Sequence, residues 1–113
     1  MIIAKLFEFD AAHKLPNHSG KCKNLHGHTY KLEISVSGKI NEKGMVIDFH
    51  DLDKIVRENV LDILDHSYLN DTIPNPTAEN IVLWIWKKLE NKIALNKIKL
   101  WETQDSCAVY EGD

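Results

Sequence analysis

Two histidines flank a glycine in His26-Gly27-His28, at the start of a stretch in which apolar residues alternate with polar ones. On a β-strand, residues two apart point to the same face, so these imidazoles can converge on one cation. Gly27, having no side chain, permits close approach of backbone or ligand. A third histidine, His13, ends an earlier alternating stretch, on the face that carries Phe7, Phe9 and Ala11. If the two stretches pair antiparallel through the intervening loop, His13 comes opposite His26 and His28. Three neutral imidazoles with an open fourth position form the donor set of a catalytic zinc site, where a structural site would be closed by a fourth protein ligand. A lone His-x-His is a weak signal. The pairing of two strands is what gives this one weight.

The elements that must position these residues follow from the apolar spacing. Residues 2–14 and 26–38 read as strands with period two. Residues 15–25 carry the loop chemistry of Pro16, Asn17, Ser19 and Gly20. Residues 41–44 read as a turn and Met45 to Phe49 as a short strand. Leu52, Ile55, Val56, Val60, Ile63 and Leu64 then follow the spacing of an amphipathic helix. After an Asp-, Asn- and Pro-rich loop over 65–76, Thr77 is a helix cap with Glu79 in the first turn. Val82, Ile85, Trp86, Leu89 and Ile93 line a second helix. Ile98 to Thr103 and Cys107 to Glu111 read as closing strands. The order predicts a single α+β domain over 1–113, an antiparallel four-stranded sheet with two helices on one face.

Composition narrows the function classes. The 113 residues are 43% hydrophobic and 27% charged, with a net charge of −3. Arg57 is the only arginine, so a nucleic-acid partner is not expected. No apolar run approaches the roughly 20 residues of a membrane span, and no signal-peptide pattern opens the chain. The expected location is the cytoplasm, with no membrane association. Cys107 reads as a small apolar filler, whereas Cys22 sits between Lys21 and Lys23 in a polar loop. His18 and His50 read as surface residues, and Trp84, Trp86 and Trp101 as packing residues.

Six segments together resemble the 6-pyruvoyl-tetrahydropterin synthase family in order and spacing: Phe7 to His13, Cys22 to Tyr30, Gly44 to Phe49, Leu64-Asp65-His66, Pro76 to Asn80, and Trp101-Glu102-Thr103. Each is weak alone, but the series spans nearly the whole chain. The resemblance implies the tunnelling fold, in which trimers close their sheets into a β-barrel and two trimers stack into a homohexamer. The spacing Cys22-x-x-x-His26-Gly27-His28, and the lack of a glutamate between Pro16 and His26, resemble the 6-carboxy-5,6,7,8-tetrahydropterin synthase branch, which belongs to queuosine (deazapurine) biosynthesis.

That resemblance implies a reaction and a set of roles. The substrate would be 7,8-dihydroneopterin triphosphate, converted to 6-carboxy-5,6,7,8-tetrahydropterin with release of acetaldehyde and triphosphate. Zn2+ held by His13, His26 and His28 would polarise the side-chain hydroxyls. Cys22 matches the catalytic cysteine, and the dication with Lys21 and Lys23 would favour its thiolate. Asp65 and His66 match an aspartate–histidine pair that exchanges protons, the aspartate orienting the imidazole. Glu102 matches the carboxylate that anchors the pterin ring through paired hydrogen bonds, with Thr103 as a further polar contact. Thr77 would touch the pterin as well as cap its helix, although the cap alone accounts for it. Phe49 either walls the pocket or belongs to the core. The triphosphate would lean on lysines, none of which the sequence singles out. Two other readings stand beside this one: a 6-pyruvoyl-tetrahydropterin synthase or related side-chain lyase on the same scaffold, and a non-catalytic pterin- or metal-binding module.

Overall fold

Two strands of twelve residues, β1 (Ile2–His13) and β2 (His26–Ser37), form the spine of the computed structural model, which describes residues 1–112. They pair antiparallel along their whole length, from Ile2 opposite Ser37 to His13 opposite His26. β3 (Ser67–Tyr68) lies parallel to β1 beside Ala11 and Ala12. β4 (Leu95–Thr103) pairs antiparallel with β2, and β5 (Ser106–Tyr110) with β4. The sheet order is β3-β1-β2-β4-β5, five strands where the sequence predicts four. The additional strand is two residues long, too short to carry an alternating signature of its own.

One face of the sheet is dry. Phe7, Phe9 and Ala11 of β1, Tyr30, Leu32, Ile34 and Val36 of β2, and Ile98 and Leu100 of β4 are all buried. Against them pack helix α1 (Phe49–Val56), through Leu52 and Val56, and helix α2 (Ala78–Leu89), through Ile81, Val82, Ile85 and Leu89. The period-two and helical patterns of the sequence therefore meet in a single core, helices on one sheet face as expected. The opposite face is polar or exposed, with Leu6, Glu8 and Asp10 on β1 and Thr29 and Lys31 on β2 open to solvent.

The first helix corrects the sequence reading in two ways. Met45 to Phe49 do not form a strand. Asn41 accepts hydrogen bonds from the Lys43 and Met45 backbone N–H groups, and Asp48 caps α1 by accepting from His50 N at 2.7 Å. The segment is thus a turn followed by a cap, and Phe49 is already helical. The helical path then loosens into a π-helical stretch, Arg57–Leu61, before a last α turn, Asp62–Leu64. At its centre the Asn59 side-chain amide donates to Ile55 O at 2.8 Å. A side chain that occupies the carbonyl one turn back competes with the regular ladder, and π-bulges arise where that ladder is broken.

The second helix begins where its cap was predicted, the Thr77 hydroxyl accepting from Asn80 N at 3.1 Å. It ends at Leu89, so Ile93 joins the core from beyond the helix. Trp86 packs edge-on against Tyr110, with ring centroids 5.0 Å apart. Cys107 is exposed on β5 and does not fill the core as expected, because its strand position faces outward while its neighbour Ala108 packs inward.

Leu32 lies at the middle of β2 and has no solvent exposure. Leu32→Ala is expected to cost about 3 kcal/mol of stability through lost burial and a residual cavity. Urea denaturation measures this, and a loss under about 1 kcal/mol would mean the core can collapse around the gap.

Candidate metal centre

The β1–β2 register delivers the histidines. His13 stands directly across from His26, and Ala11 across from His28. Period two then puts all three rings on one face of the two-strand ribbon. They meet edge to face, with centroid separations of 4.6, 5.1 and 4.9 Å. One nitrogen from each lies within 4.8 Å of the others. His13 is fully buried and the other two are half-buried. Below them Tyr30 stacks on Phe9 at 4.9 Å and meets His28 edge-on at 5.6 Å, giving the cluster an aromatic floor.

Hydrogen bonds behind the rings decide which nitrogens are available. His13 Nδ1 lies 2.8 Å from the Pro76 carbonyl oxygen, and His26 Nδ1 lies 2.7 Å from that of Asn24. A carbonyl can only accept, so in each neutral ring Nδ1 carries the proton and Nε2 carries a lone pair. The two Nε2 atoms nevertheless face each other at 3.1 Å. Two acceptors at that distance repel unless something positive lies between them. The Nε2 of His28 is buried with no hydrogen-bond partner. Glu102 Oε1 comes within 3.4 Å of it without hydrogen-bond geometry. Tetrahedral zinc with nitrogen ligands at 2.0–2.1 Å sets neighbouring nitrogens about 3.3 Å apart. The convergent lone pairs, the orphaned nitrogen and the carbonyl-fixed tautomers therefore fit a divalent cation bound by His13, His26 and His28.

The electrostatics agree with ligand duty. Burial lowers the pKa of His28, outweighing the upward pull of Glu102, and His13 and His26 push it further down. At neutral pH its imidazole is uncharged and free to coordinate. Burial also raises the Tyr30 phenol above its ordinary value, with Glu102 adding to the rise, so Tyr30 stays neutral as part of the floor.

The remaining sequence-predicted residues fall into separate groups. Asp65 and His66 follow the end of the first helix and are exposed. Asp65 Oδ1 is 3.0 Å from His66 Nδ1 and accepts from Asp10 N at 3.0 Å. That backbone bond, then the His66 contact, holds the Asp65 carboxyl below its ordinary pKa. His66 has φ = 59°, a left-handed conformation rare outside glycine, and its N–H donates to Asp10 O at 2.6 Å. His66 and His28 line one open hollow of about 490 Å³ with Asp10, Ala11, Ala12, Gly27, Thr29 and Ser67. His66 and one histidine of the cluster, His28, thus border the same space.

Glu102 and Thr103 line a second hollow of about 430 Å³ between the start of α2 and β5. Thr103 donates to Asp105 Oδ1 at 3.0 Å. Cys22 is half-buried in a short 3₁₀ turn, Lys21–Lys23, and lines neither hollow. Thr77 borders a small depression with Leu15, Asn17, His18 and Asn75. Phe49 is exposed beside Met1, Ile3 and Met45 in an apolar hollow of its own. His18 and His50 are on the surface. Sequence reasoning missed Asp10 and Thr29. They face each other across the β1–β2 ladder, with Thr29 Oγ1 donating to Asp10 Oδ1 at 2.5 Å. The register that predicts His13 opposite His26 also predicts this pair.

Comparison with known proteins adds the family. The family model described as "6-pyruvoyl tetrahydropterin synthase" matches residues 2–113. The chain is 38% identical to the 6-carboxy-5,6,7,8-tetrahydropterin synthase of Haemophilus influenzae, covering 96% of this chain and 97% of that protein. It is 45% identical to the dihydroneopterin monophosphate aldolase of Pyrococcus furiosus, over 83% of this chain and 82% of that one. The solved structure of Caenorhabditis elegans 6-pyruvoyl tetrahydropterin synthase superposes with a TM-score of 0.91 at 27% identity, covering 100% of this chain and 96% of that one.

The metal-free protein is expected to take up one zinc ion per chain, read by titration calorimetry and elemental analysis. His26→Ala and His28→Ala should each abolish stoichiometric binding, and uptake should weaken as pH falls through the imidazole range because protons compete for the same lone pairs. Stoichiometric zinc retained by either variant would refute the three-histidine site.

Proposed function

The chain belongs to the 6-pyruvoyl tetrahydropterin synthase family, and from that premise we propose that it is a zinc-dependent lyase acting on 7,8-dihydroneopterin triphosphate. With one water, that substrate gives 6-carboxy-5,6,7,8-tetrahydropterin, acetaldehyde and triphosphate, the step that feeds queuosine (deazapurine) synthesis. The observation that carries this reading is the convergence of three imidazoles, two with tautomers fixed by backbone carbonyls, beside a half-buried glutamate.

A bound zinc ion would supply Lewis acidity to the substrate's side-chain oxygens. The protein's own residues do the rest. Glu102 accepts paired N–H bonds from the pterin, and its Oε1, 3.4 Å from His28 Nε2, keeps the ring next to the ligand cluster. Thr103 adds a polar contact at the same end, whereas Thr77 and Phe49 border other hollows of the single chain and would reach the pterin only from another copy. His66 takes and returns protons at the hollow it shares with His28. Asp65 orients the His66 ring through its 3.0 Å contact with Nδ1. Cys22 supplies the thiolate base.

His66 lines the hollow beside His28 whereas Cys22 does not, which favours a pocket assembled between copies. The sheet offers the means. Among the described residues β1 has no second neighbour over Ile2–Asp10, and β5 has none beyond β4. Open edges of this length invite pairing with another chain, consistent with barrel-forming trimers stacked into a homohexamer in the cytoplasm. Sedimentation of a fully active monomer would overturn this assembly.

The Pyrococcus furiosus relative supports a second reading, an aldolase that cleaves the side chain without making a carboxy product. The test is incubation of zinc-loaded protein with 7,8-dihydroneopterin triphosphate and, separately, with the monophosphate, followed by mass analysis. Acetaldehyde and the carboxypterin are expected from the triphosphate. A hydroxymethylpterin with a phosphorylated two-carbon aldehyde would replace this assignment with the aldolase. Cys22→Ala should abolish turnover while keeping zinc, and full activity in that variant would remove the thiolate from the mechanism.

A further inference from the structure

Residue 10 is bonded twice to the Asp65–His66 pair and brings its carboxylate near it as well. Its N–H donates to Asp65 Oδ1 at 3.0 Å, its carbonyl accepts from His66 N at 2.6 Å, and its carboxylate lies within 4.8 Å of ligand atoms of both Asp65 and His66. The backbone contacts explain how His66 is kept at φ = 59°. Such a conformation costs of order 1–3 kcal/mol and persists only where the surroundings over-determine it. They do not explain why a second carboxylate is brought beside Asp65, since two like charges so close oppose each other.

Thr29 supplies the restraint. It stands directly across the ladder from Asp10 and donates its hydroxyl to Asp10 Oδ1 at 2.5 Å. The acceptor is a carboxylate, so the bond is charge-assisted. It pins one carboxylate oxygen to β2, at the wall of the hollow that His66 and His28 share. All four residues are exposed in the single chain, so the arrangement is not forced by core packing.

We propose that Asp10 is a positioning residue for the Asp65–His66 pair, and that Thr29 holds the Asp10 carboxylate in the place from which it acts. The His66 ring then has two carboxylates near it, Asp65 in direct contact with Nδ1 and Asp10 within 4.8 Å and anchored to β2 through Thr29. Asp65 limits its orientation directly, and the charged form of the ring has both carboxylates near it. The role rests on the proton-transfer function proposed for His66, so the experiment carries a readout that does not need turnover.

The variants are Asp10→Asn, Thr29→Val and Thr29→Ser, each checked for zinc content and thermal midpoint, which should match the parent protein. In turnover, Asp10→Asn should lower kcat about tenfold with KM within about twofold, and the limb of the pH profile that reports His66 should move to lower pH. Thr29→Val should give a smaller loss of the same kind, Thr29→Ser should restore it, and Asp10→Asn with Thr29→Val should be no worse than Asp10→Asn alone, because the two act as one unit. Nitrogen-15 spectra of the His66 ring, recorded against pH, should show the same downward displacement in Asp10→Asn whether or not the pterin is the substrate. Absence of turnover in the parent protein with a displaced His66 resonance would sink the lyase assignment and keep the positioning role. Unchanged His66 resonances in Asp10→Asn, or a kcat within twofold of the parent, would overturn it.

Discussion

The antiparallel ladder between β1 and β2 fixes His13 against His26, Ala11 against His28 and Asp10 against Thr29. Side chains alternate with period two, so a slip of one residue would turn one strand's imidazoles toward solvent and its polar residues into the core. The register is not left to the histidines. Phe7, Phe9 and Ala11 on one strand, and Tyr30, Leu32, Ile34 and Val36 on the other, are buried on the same face, and a slip would expose several large apolar side chains at roughly 1.5–3 kcal/mol each. The core holds the three histidines in place, and the histidines themselves need contribute little to the fold.

Burial then does chemical work on what the register delivers. His13 is sealed from solvent between Tyr30 and the Pro76 carbonyl, which forces its lone pair toward the cluster. His28 is desolvated enough to stay neutral beside the Glu102 carboxylate. Outside the cluster the rules change. Asp65, His66, Asp10 and Thr29 are open to water, and their arrangement depends on directed hydrogen bonds and on one strained backbone angle. The histidine cluster is built by packing and the Asp65–His66 pair by polar contacts, and His28 and His66 meet at one hollow.

The sequence was legible where a pattern repeated over many residues. Both long strands, the amphipathic face of the first helix and the Thr77 cap follow directly from spacing and residue type. The pairing of His13 with His26 needed only the assumption that adjacent strands form a hairpin. Short features escaped. β3 has two residues, and the Met45 to Asp48 segment reads as apolar until the hydrogen bonds of Asn41 and Asp48 are seen to turn and cap it. Cys107 departs from expectation because residue type predicts average burial and not which side of a five-residue strand faces out. The Asp10–Thr29 pair carries no spacing motif of its own and is visible only through the register that pairs His13 with His26.

The left-handed backbone at His66 has an evolutionary corollary. Few side chains are comfortable there: glycine readily, and asparagine, aspartate and histidine more often than the rest, with β-branched residues nearly shut out. Of that short roster only histidine exchanges a proton near neutrality. A bend set by the chain's path after the first helix therefore screens the alphabet before any demand from a reaction is felt, and drift at this position would tend to trade reactivity for inert polarity while the scaffold stayed intact.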